Sequence, residues 1–134
     1  MTKRVNLSQW HILVVDDDEQ NATVQADILR SFKANTYIAL SGSSALSMVA
    51  ALPQLTAIIL DLKMPGISGW DLLRHLRAMP QVLKVPIVAV TAYAMAGDRE
   101  RILAAGFDGY VAKPVQVGTF WLELAGFIAQ KRSA

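Results

Sequence analysis

The sequence predicts an α/β domain built on a parallel sheet, and three observations carry that expectation. Short apolar, β-rich runs alternate five times with longer segments of helical period. Most of these runs are apolar without a break, as strands covered on both faces must be. The residues that close them are mostly acids, a hydroxyl and an amine, which places polar groups where parallel sheets bind ligands, beyond the carboxyl ends of their strands.

Taken in order, the expected strands are residues 12–15, 36–39, 57–60, 87–90 and 110–112. The second, Thr36-Tyr37-Ile38-Ala39, is more mixed than the others and suits a sheet edge. Between the strands, Val24, Ile28, Leu29 and Phe32 are expected on one helical face, followed by Leu72, Leu73, Leu76 and Met79, and then by Leu124, Phe127 and Ile128. Ser68 with Asp71 reads as a capping box opening the third helix, and Gly106 as the stop of the fourth; Pro53 and Pro80 fall just past the ends of others. Residues 1–10 are expected to be an N-terminal extension, 11–130 the domain and 131–134 a C-terminal tail, with the first nine or ten residues and the last four frayed.

A chain of 134 residues suffices for one core. With 53% hydrophobic and 18% charged residues, disorder is excluded, and the lack of cysteine removes disulfide frameworks, zinc knuckles and thiol nucleophiles together. A net charge of +2 is too small to argue for nucleic acid. The strongest apolar runs, such as Ile12-Leu13-Val14-Val15, meet acids long before they could span a bilayer, and the basic start Met1-Thr2-Lys3-Arg4 lacks the apolar stretch of a signal peptide. The expectation is a cytoplasmic protein.

Four of the five expected strands end in chemistry-bearing residues: Asp16-Asp17-Asp18, Asp61, Thr91 and Lys113. Carboxylates gathered at adjacent strand ends repel unless a cation is present. An all-oxygen donor set suits Mg²⁺ or Mn²⁺ rather than zinc. Because Mg²⁺ takes only one or two carboxylates beside phosphate oxygens, a third is left for another task, and Asp61 is the candidate nucleophile toward a phosphoryl group. Lys113 would neutralise phosphoryl oxygens, Thr91 would donate a hydrogen bond to another, and small Ala92 would leave the entry open.

Together Val14-Val15-Asp16-Asp17-Asp18, Asp61-Leu62-Lys63-Met64-Pro65-Gly66, Val90-Thr91-Ala92 and Tyr110-Val111-Ala112-Lys113-Pro114 resemble the ordered motifs of response-regulator receiver domains, the CheY-like phosphoacceptors of two-component signal transduction, over roughly residues 11–130. The resemblance implies a flavodoxin-like, doubly wound (βα)5 fold with strand order 2-1-3-4-5. It implies that Asp61 is phosphorylated from a phosphohistidine on a sensor histidine kinase or histidine phosphotransfer protein. It implies Mg²⁺ held by Asp17, Asp61 and the backbone carbonyl of Lys63, with Asp16 acting largely through bound water. Thr91 and Tyr110 match the family's switch pair, and Lys113-Pro114 the dipeptide that is cis in the family, X–Pro bonds being those where cis is energetically accessible. The output would be a protein-binding surface on the fourth helix, fifth strand and fifth helix, read by a downstream protein. The chain is expected to be no enzyme beyond self-catalysed phosphotransfer and dephosphorylation, to touch neither nucleic acid nor membrane, and to be a monomer unless phosphorylation brings dimerisation.

Departures from the family pattern, at Leu40 and Ser44, lie outside the site. The expectation is a stand-alone receiver without an output domain, and an alternative is a receiver excised from a hybrid histidine kinase. A more distant one is an aspartate-nucleophile phosphohydrolase, against which stands Lys63, where those enzymes carry a second acid. Asp16-Asp17-Asp18-Glu19 taken alone would read as a helix start, Thr91 as a turn residue, Lys113 as a surface lysine and Tyr110 as core. His11 and His75 are expected to be structural. Trp10, Trp70 and Trp121 read as packing, with Trp70 placed to report on the site, while Met95 fits either core or an exposed docking surface.

Overall fold

In a computed structural model the chain forms a five-stranded parallel sheet in the order β2-β1-β3-β4-β5. The structure describes residues 5–52, 54–92 and 97–133; Pro53, Met95 and the basic start, discussed above, lie outside them. The strands are β1 (His11–Val15), β2 (Asn35–Ala39), β3 (Ala57–Leu60), β4 (Ile87–Thr91) and β5 (Gly109–Ala112). The helices are α1 (Glu19–Arg30), α2 (Gly42–Ala51), α3 (Gly69–Arg77), α4 (Asp98–Ala105) and α5 (Phe120–Ser133), and a short 3-10 turn at Pro80–Val82 begins at the proline expected to stop α3.

The central strands are apolar except for His11 at the start of β1 and Thr91 at the end of β4, because both faces are covered. One face packs Leu13, Val15, Ile58, Leu60, Ile87 and Ala89 against the leucines of α3 and against Ile102 of α4. The other packs Ile12, Val14, Ile59, Val88 and Val90 against α1 and α5, where Phe120, Leu124 and Ile128 are buried. The mixed strand β2 is indeed at an edge.

Caps agree with the local chemistry. Ser68 Oγ accepts from the Asp71 N–H and its hydroxyl donates to the Asp71 carboxylate, so the expected Ser68–Asp71 pair caps α3. Gly106 ends α4 with φ of 113°, a left-handed conformation that other residues adopt only with strain.

Three expectations are corrected. Val24 is 51% exposed, because the buried stripe of α1 runs through Ala22, Gln25, Ala26 and Leu29 and Val24 falls on its far side. Residues 131–133 are not a frayed tail: α5 runs on through Ser133, with Lys131 Nζ 3.0 Å from Asp108 Oδ1. The N-terminal segment is tied down from Leu7, which is buried and donates its N–H to the Phe32 carbonyl at 2.7 Å.

Candidate functional site

Strand register builds the site. Val15 of β1 pairs with Leu60 of β3, so the next residues, Asp16 and Asp61, leave the sheet side by side. Their backbones are pinned at that point: Asp61 N–H donates to the Val15 carbonyl at 2.9 Å and Asp16 N–H to the Ala39 carbonyl at 3.1 Å. Thr91, the last residue of β4, pairs with Ala112 of β5, and its carbonyl accepts from the Lys113 N–H at 2.9 Å. The expected strand-end residues therefore share one end of the sheet, as parallel register requires of residues that each follow a short strand.

The side chains converge there. Carboxylate oxygens of Asp16, Asp17 and Asp61 lie within 4.8 Å of one another. Lys113 Nζ stands 2.9 Å from Asp16 Oδ2 and 3.5 Å from Asp61 Oδ2. Asp16 and Thr91 are each 1% exposed and Asp61 is buried, whereas Asp17 faces solvent. The pocket thus has a closed floor and an open mouth, with exposed Ala92 at its rim.

Electrostatics follow from that burial. Removal from water pushes the Asp61 carboxyl above its usual range; nearby Lys113 opposes this and neighbouring Asp16 adds to it. Burial alone would lower the Lys113 ammonium, but its hydrogen bond to Asp16 and the charges of Asp16 and Asp61 outweigh burial and raise it. The Lys63 N–H donates to Asp61 Oδ1 at 3.4 Å, which turns the β3–α3 loop back over the carboxylate and brings the Lys63 backbone to the site.

Gly69 allows that loop to close. Its N–H donates to the Leu62 carbonyl at 3.0 Å, and a Cβ in its place would lie 2.4 Å from the Asp61 carbonyl oxygen and 2.6 Å from the Leu62 Cα. The peptide joining Lys113 and Pro114 is cis. Tyr110 of β5 is half-buried and pairs with Ala89, two residues before Thr91, so by strand alternation Tyr110 and Thr91 belong to the same face of the sheet.

The residues present fit a hard divalent cation. Three carboxylates converge with a single lysine between two of them, no histidine or cysteine belongs to the set, and exposed Asp17 leaves room for metal-bound water.

One participant is not among the expected site residues. Gln25 of α1 is 4% exposed, and its Nε2 donates to Asp16 Oδ2 at 3.4 Å. The signal in the sequence is faint: a lone amide within the stripe Ala22, Ala26, Leu29. The histidines stay apart from the site: His11 Nδ1 lies 2.9 Å from the Tyr37 hydroxyl, and His75 is exposed on α3. Trp70 is half-buried on Phe107, with ring centroids 5.9 Å apart, and Arg101 lies over it. Trp121 packs on Phe32.

Comparison with known proteins agrees with this geometry. The polar-differentiation response regulator DivK of Brucella ovis is 33% identical over 110 residues, spanning 81% of this chain and 88% of that protein. The receiver domain of the sensor histidine kinase PA1611 from Pseudomonas aeruginosa, solved with a magnesium ion coordinated in its active-site cleft, is 34% identical with a TM-score of 0.79, covering 90% of this chain and 98% of that one. The chemotaxis response regulator CheY4 of Vibrio cholerae, at 24% identity, shares the fold with a TM-score of 0.80 over 88% of this chain and 98% of that one. The family model for the response regulator receiver domain matches residues 12–123, and with the acidic pocket at the sheet's carboxyl end this chain belongs to that family.

Proposed function

We propose that the chain is a phosphoacceptor in a His-to-Asp phosphorelay, with Asp61 as the residue phosphorylated. The observation that carries this reading is the position of Lys113 Nζ, within 2.9 Å of Asp16 and 3.5 Å of Asp61 in a pocket where three carboxylates meet. A carboxylate oxygen of Asp61 attacks the phosphorus of a phosphohistidine on a sensor kinase or phosphotransfer protein. The O–P bond forms as the P–N bond breaks, and the electron pair stays on the leaving nitrogen of a ring whose other nitrogen carries a proton, so the partner's histidine departs as a neutral imidazole. Transfer of this kind depends on positioning and charge neutralisation. Lys113 supplies the ammonium for one phosphoryl oxygen and Thr91 a hydroxyl for another.

Asp16, Asp17, Asp61 and the Lys63 carbonyl are the groups for Mg²⁺, which when bound offsets the charge of the carboxylates and of the incoming phosphoryl group. Hydrolysis of the acyl phosphate by water, at the same groups, returns Asp61 to its resting state. Thr91 and Tyr110, on one face of the sheet, form the switch pair: the hydroxyl moves toward the phosphoryl group and the ring turns into the space it leaves. Such a change biases an existing two-state equilibrium. The affected surface is α4, β5 and α5, read by a downstream protein.

No helix among the described residues is long and apolar enough to cross a membrane, which accords with the proposed cytoplasmic location. The similarity to DivK over 88% of its length supports a receiver that acts alone. The similarity to the receiver of a sensor histidine kinase favours a second reading, the same module within a hybrid kinase; the natural reading frame distinguishes them.

Incubation with acetyl phosphate and Mg²⁺ is expected to add one phosphoryl group, stable to acid and labile to alkali, and Asp61→Asn is expected to abolish it. An intact, folded protein that takes up no phosphoryl group would overturn the assignment, and multiple turnover of phosphate monoesters would replace it with a phosphohydrolase.

A further inference from the structure

Gln25 is a buried amide on a helical stripe that otherwise carries Ala22, Ala26, Ile28 and Leu29. Packing alone does not call for it, since a leucine or methionine fills a similar volume without a polar group to desolvate. Its Nε2 faces Asp16 Oδ2 at 3.4 Å, and a carboxylate can only accept, so the amide's NH₂ is the group turned toward it. That same oxygen accepts from Lys113 Nζ at the shorter distance of 2.9 Å, while the other Asp16 oxygen accepts from the Asp18 N–H at 3.0 Å. Gln25, Lys113 and Ala92 also line one cleft, of about 360 Å³, between α1 and the loop after β5.

Two donors on one oxygen matter because one of them has work elsewhere. Lys113 stands closer to Asp16 than to Asp61. Where Lys113 is drawn toward a phosphoryl oxygen on Asp61, its contact with Asp16 lengthens, and that carboxylate, on a residue 1% exposed, loses the full strength of its shortest donor. An unsatisfied buried acceptor is costly, and the cost is larger when the acceptor is charged. Gln25 is already in place, at a distance with room to shorten.

We propose that Gln25 is a positioning residue of this site: its amide holds Asp16 Oδ2 when Lys113 transfers to the phosphoryl group on Asp61, and thereby favours the loaded state. The inference rests on the phosphoacceptor reading above. It predicts a selective effect, since Gln25 stabilises the arrangement in which Lys113 has moved and is not itself a metal donor.

The test compares wild type with Gln25→Leu and Gln25→Met, each checked for fold by circular dichroism and thermal melting. Mg²⁺ binding is measured alone by calorimetry, and beryllofluoride, a mimic of the acyl phosphate, is titrated at saturating Mg²⁺ by fluorine NMR. Both variants are expected to raise half-saturating beryllofluoride by about fivefold, the worth of one net hydrogen bond, while half-saturating Mg²⁺ changes less than about twofold, as expected of a group that does not ligate the ion. In wild type the Gln25 side-chain amide proton signals are expected to shift on addition of beryllofluoride. Unchanged beryllofluoride binding in the variants, equal losses for beryllofluoride and Mg²⁺, or amide signals that do not move would each overturn the role. Wild type that binds no beryllofluoride would instead sink the phosphoacceptor reading itself.

Discussion

The ammonium of Lys113 reaches the carboxylate of Asp16 at 2.9 Å although the two residues are 97 positions apart in the chain. This contact joins the end of β5 to the end of β1 across the ends of β3 and β4. Asp16 is almost wholly buried, so deleting the cation leaves a carboxylate with poor access to water. Lys113→Met is therefore expected to destabilise the metal-free protein by about 3 kcal/mol, in the range found when one partner of a buried pair is removed. Saturating Mg²⁺ should recover part of that loss while phosphorylation by acetyl phosphate stays abolished. Urea unfolding with and without Mg²⁺ checks the first part, and phosphoprotein mass the second.

Asp61 shows the opposite sign. Burial raises its folded carboxyl above the ordinary value, so between the unfolded value, ~4, and the raised one the folded state holds more protons than the unfolded state. Stability of the metal-free protein must fall as pH rises through that window and stay reduced above it. Asp61→Asn removes the penalty: its metal-free melting temperature at neutral pH should exceed that of wild type, and the gain should vanish below the window. Melting curves across pH in EDTA decide this, and a variant no more stable than wild type would contradict it.

Added Mg²⁺ should reverse that ranking. A ligand bound only by the folded state contributes about 2.7 kcal/mol at a hundred times its dissociation constant. Wild type should gain in melting temperature as Mg²⁺ is raised and lose the gain in EDTA, and Asp61→Asn, lacking one of the three carboxylates, should gain far less. Equal gains in both proteins would mean that Asp61 is no ligand.

Gly69→Ala probes the loop behind the acid. The added methyl group would lie 2.4 Å from the Asp61 carbonyl oxygen, a backbone atom that cannot step aside as a flexible side chain would. The expected result is a loss of about 1–3 kcal/mol by overpacking, together with slower phosphorylation, because the same shift displaces the Asp61 carboxylate. Chemical denaturation and the initial rate of acetyl phosphate labelling measure the two effects.

At the other end of the sheet, Asp108 accepts from the Ile87 N–H at 2.8 Å, pairs with Arg77, and lies 3.0 Å from Lys131 Nζ. Arg77 in turn donates to the Val82 and Val85 carbonyls at 3.0 and 2.8 Å. This cluster ties the segment after α3, the starts of β4 and β5, and the end of α5 together. Arg77→Met should cost about 2–4 kcal/mol and leave acetyl phosphate labelling of the folded protein at the wild-type rate. A matching loss of labelling would show that the two ends of the sheet are coupled.

Local patterns made much of this legible. Apolar runs identified all five strands, and those of β1, β3 and β4 are unbroken because a strand buried on both faces has no room for alternation. Asp16, Asp61, Thr91 and Lys113 stood out because each follows such a run directly, and parallel register carries that sequence position into space. Val24 shows where local reading stops: apolar spacing suggested a buried face, but the stripe that packs on the sheet is defined by the small residues Ala22 and Ala26. Gln25 was invisible for a related reason, since nothing near it in sequence shows which acid it would meet. Lys131 read as part of a loose end because its partner, Asp108, lies 23 residues away.

The order of residues along the chain by itself determined the α/β class, the five strands, the capping of α3 and α4, and the set of oxygen and nitrogen groups gathered at strand ends. All of these depend on neighbours within a few positions. Tertiary structure alone decided which carboxylate holds Lys113, how deeply Asp16 and Asp61 are withdrawn from water, that Gln25 joins them, and that Gly69 admits the loop against Asp61. Distances and desolvation between segments far apart in sequence exist only once the sheet has brought them together, and pKa shifts and donor sharing are consequences of those distances.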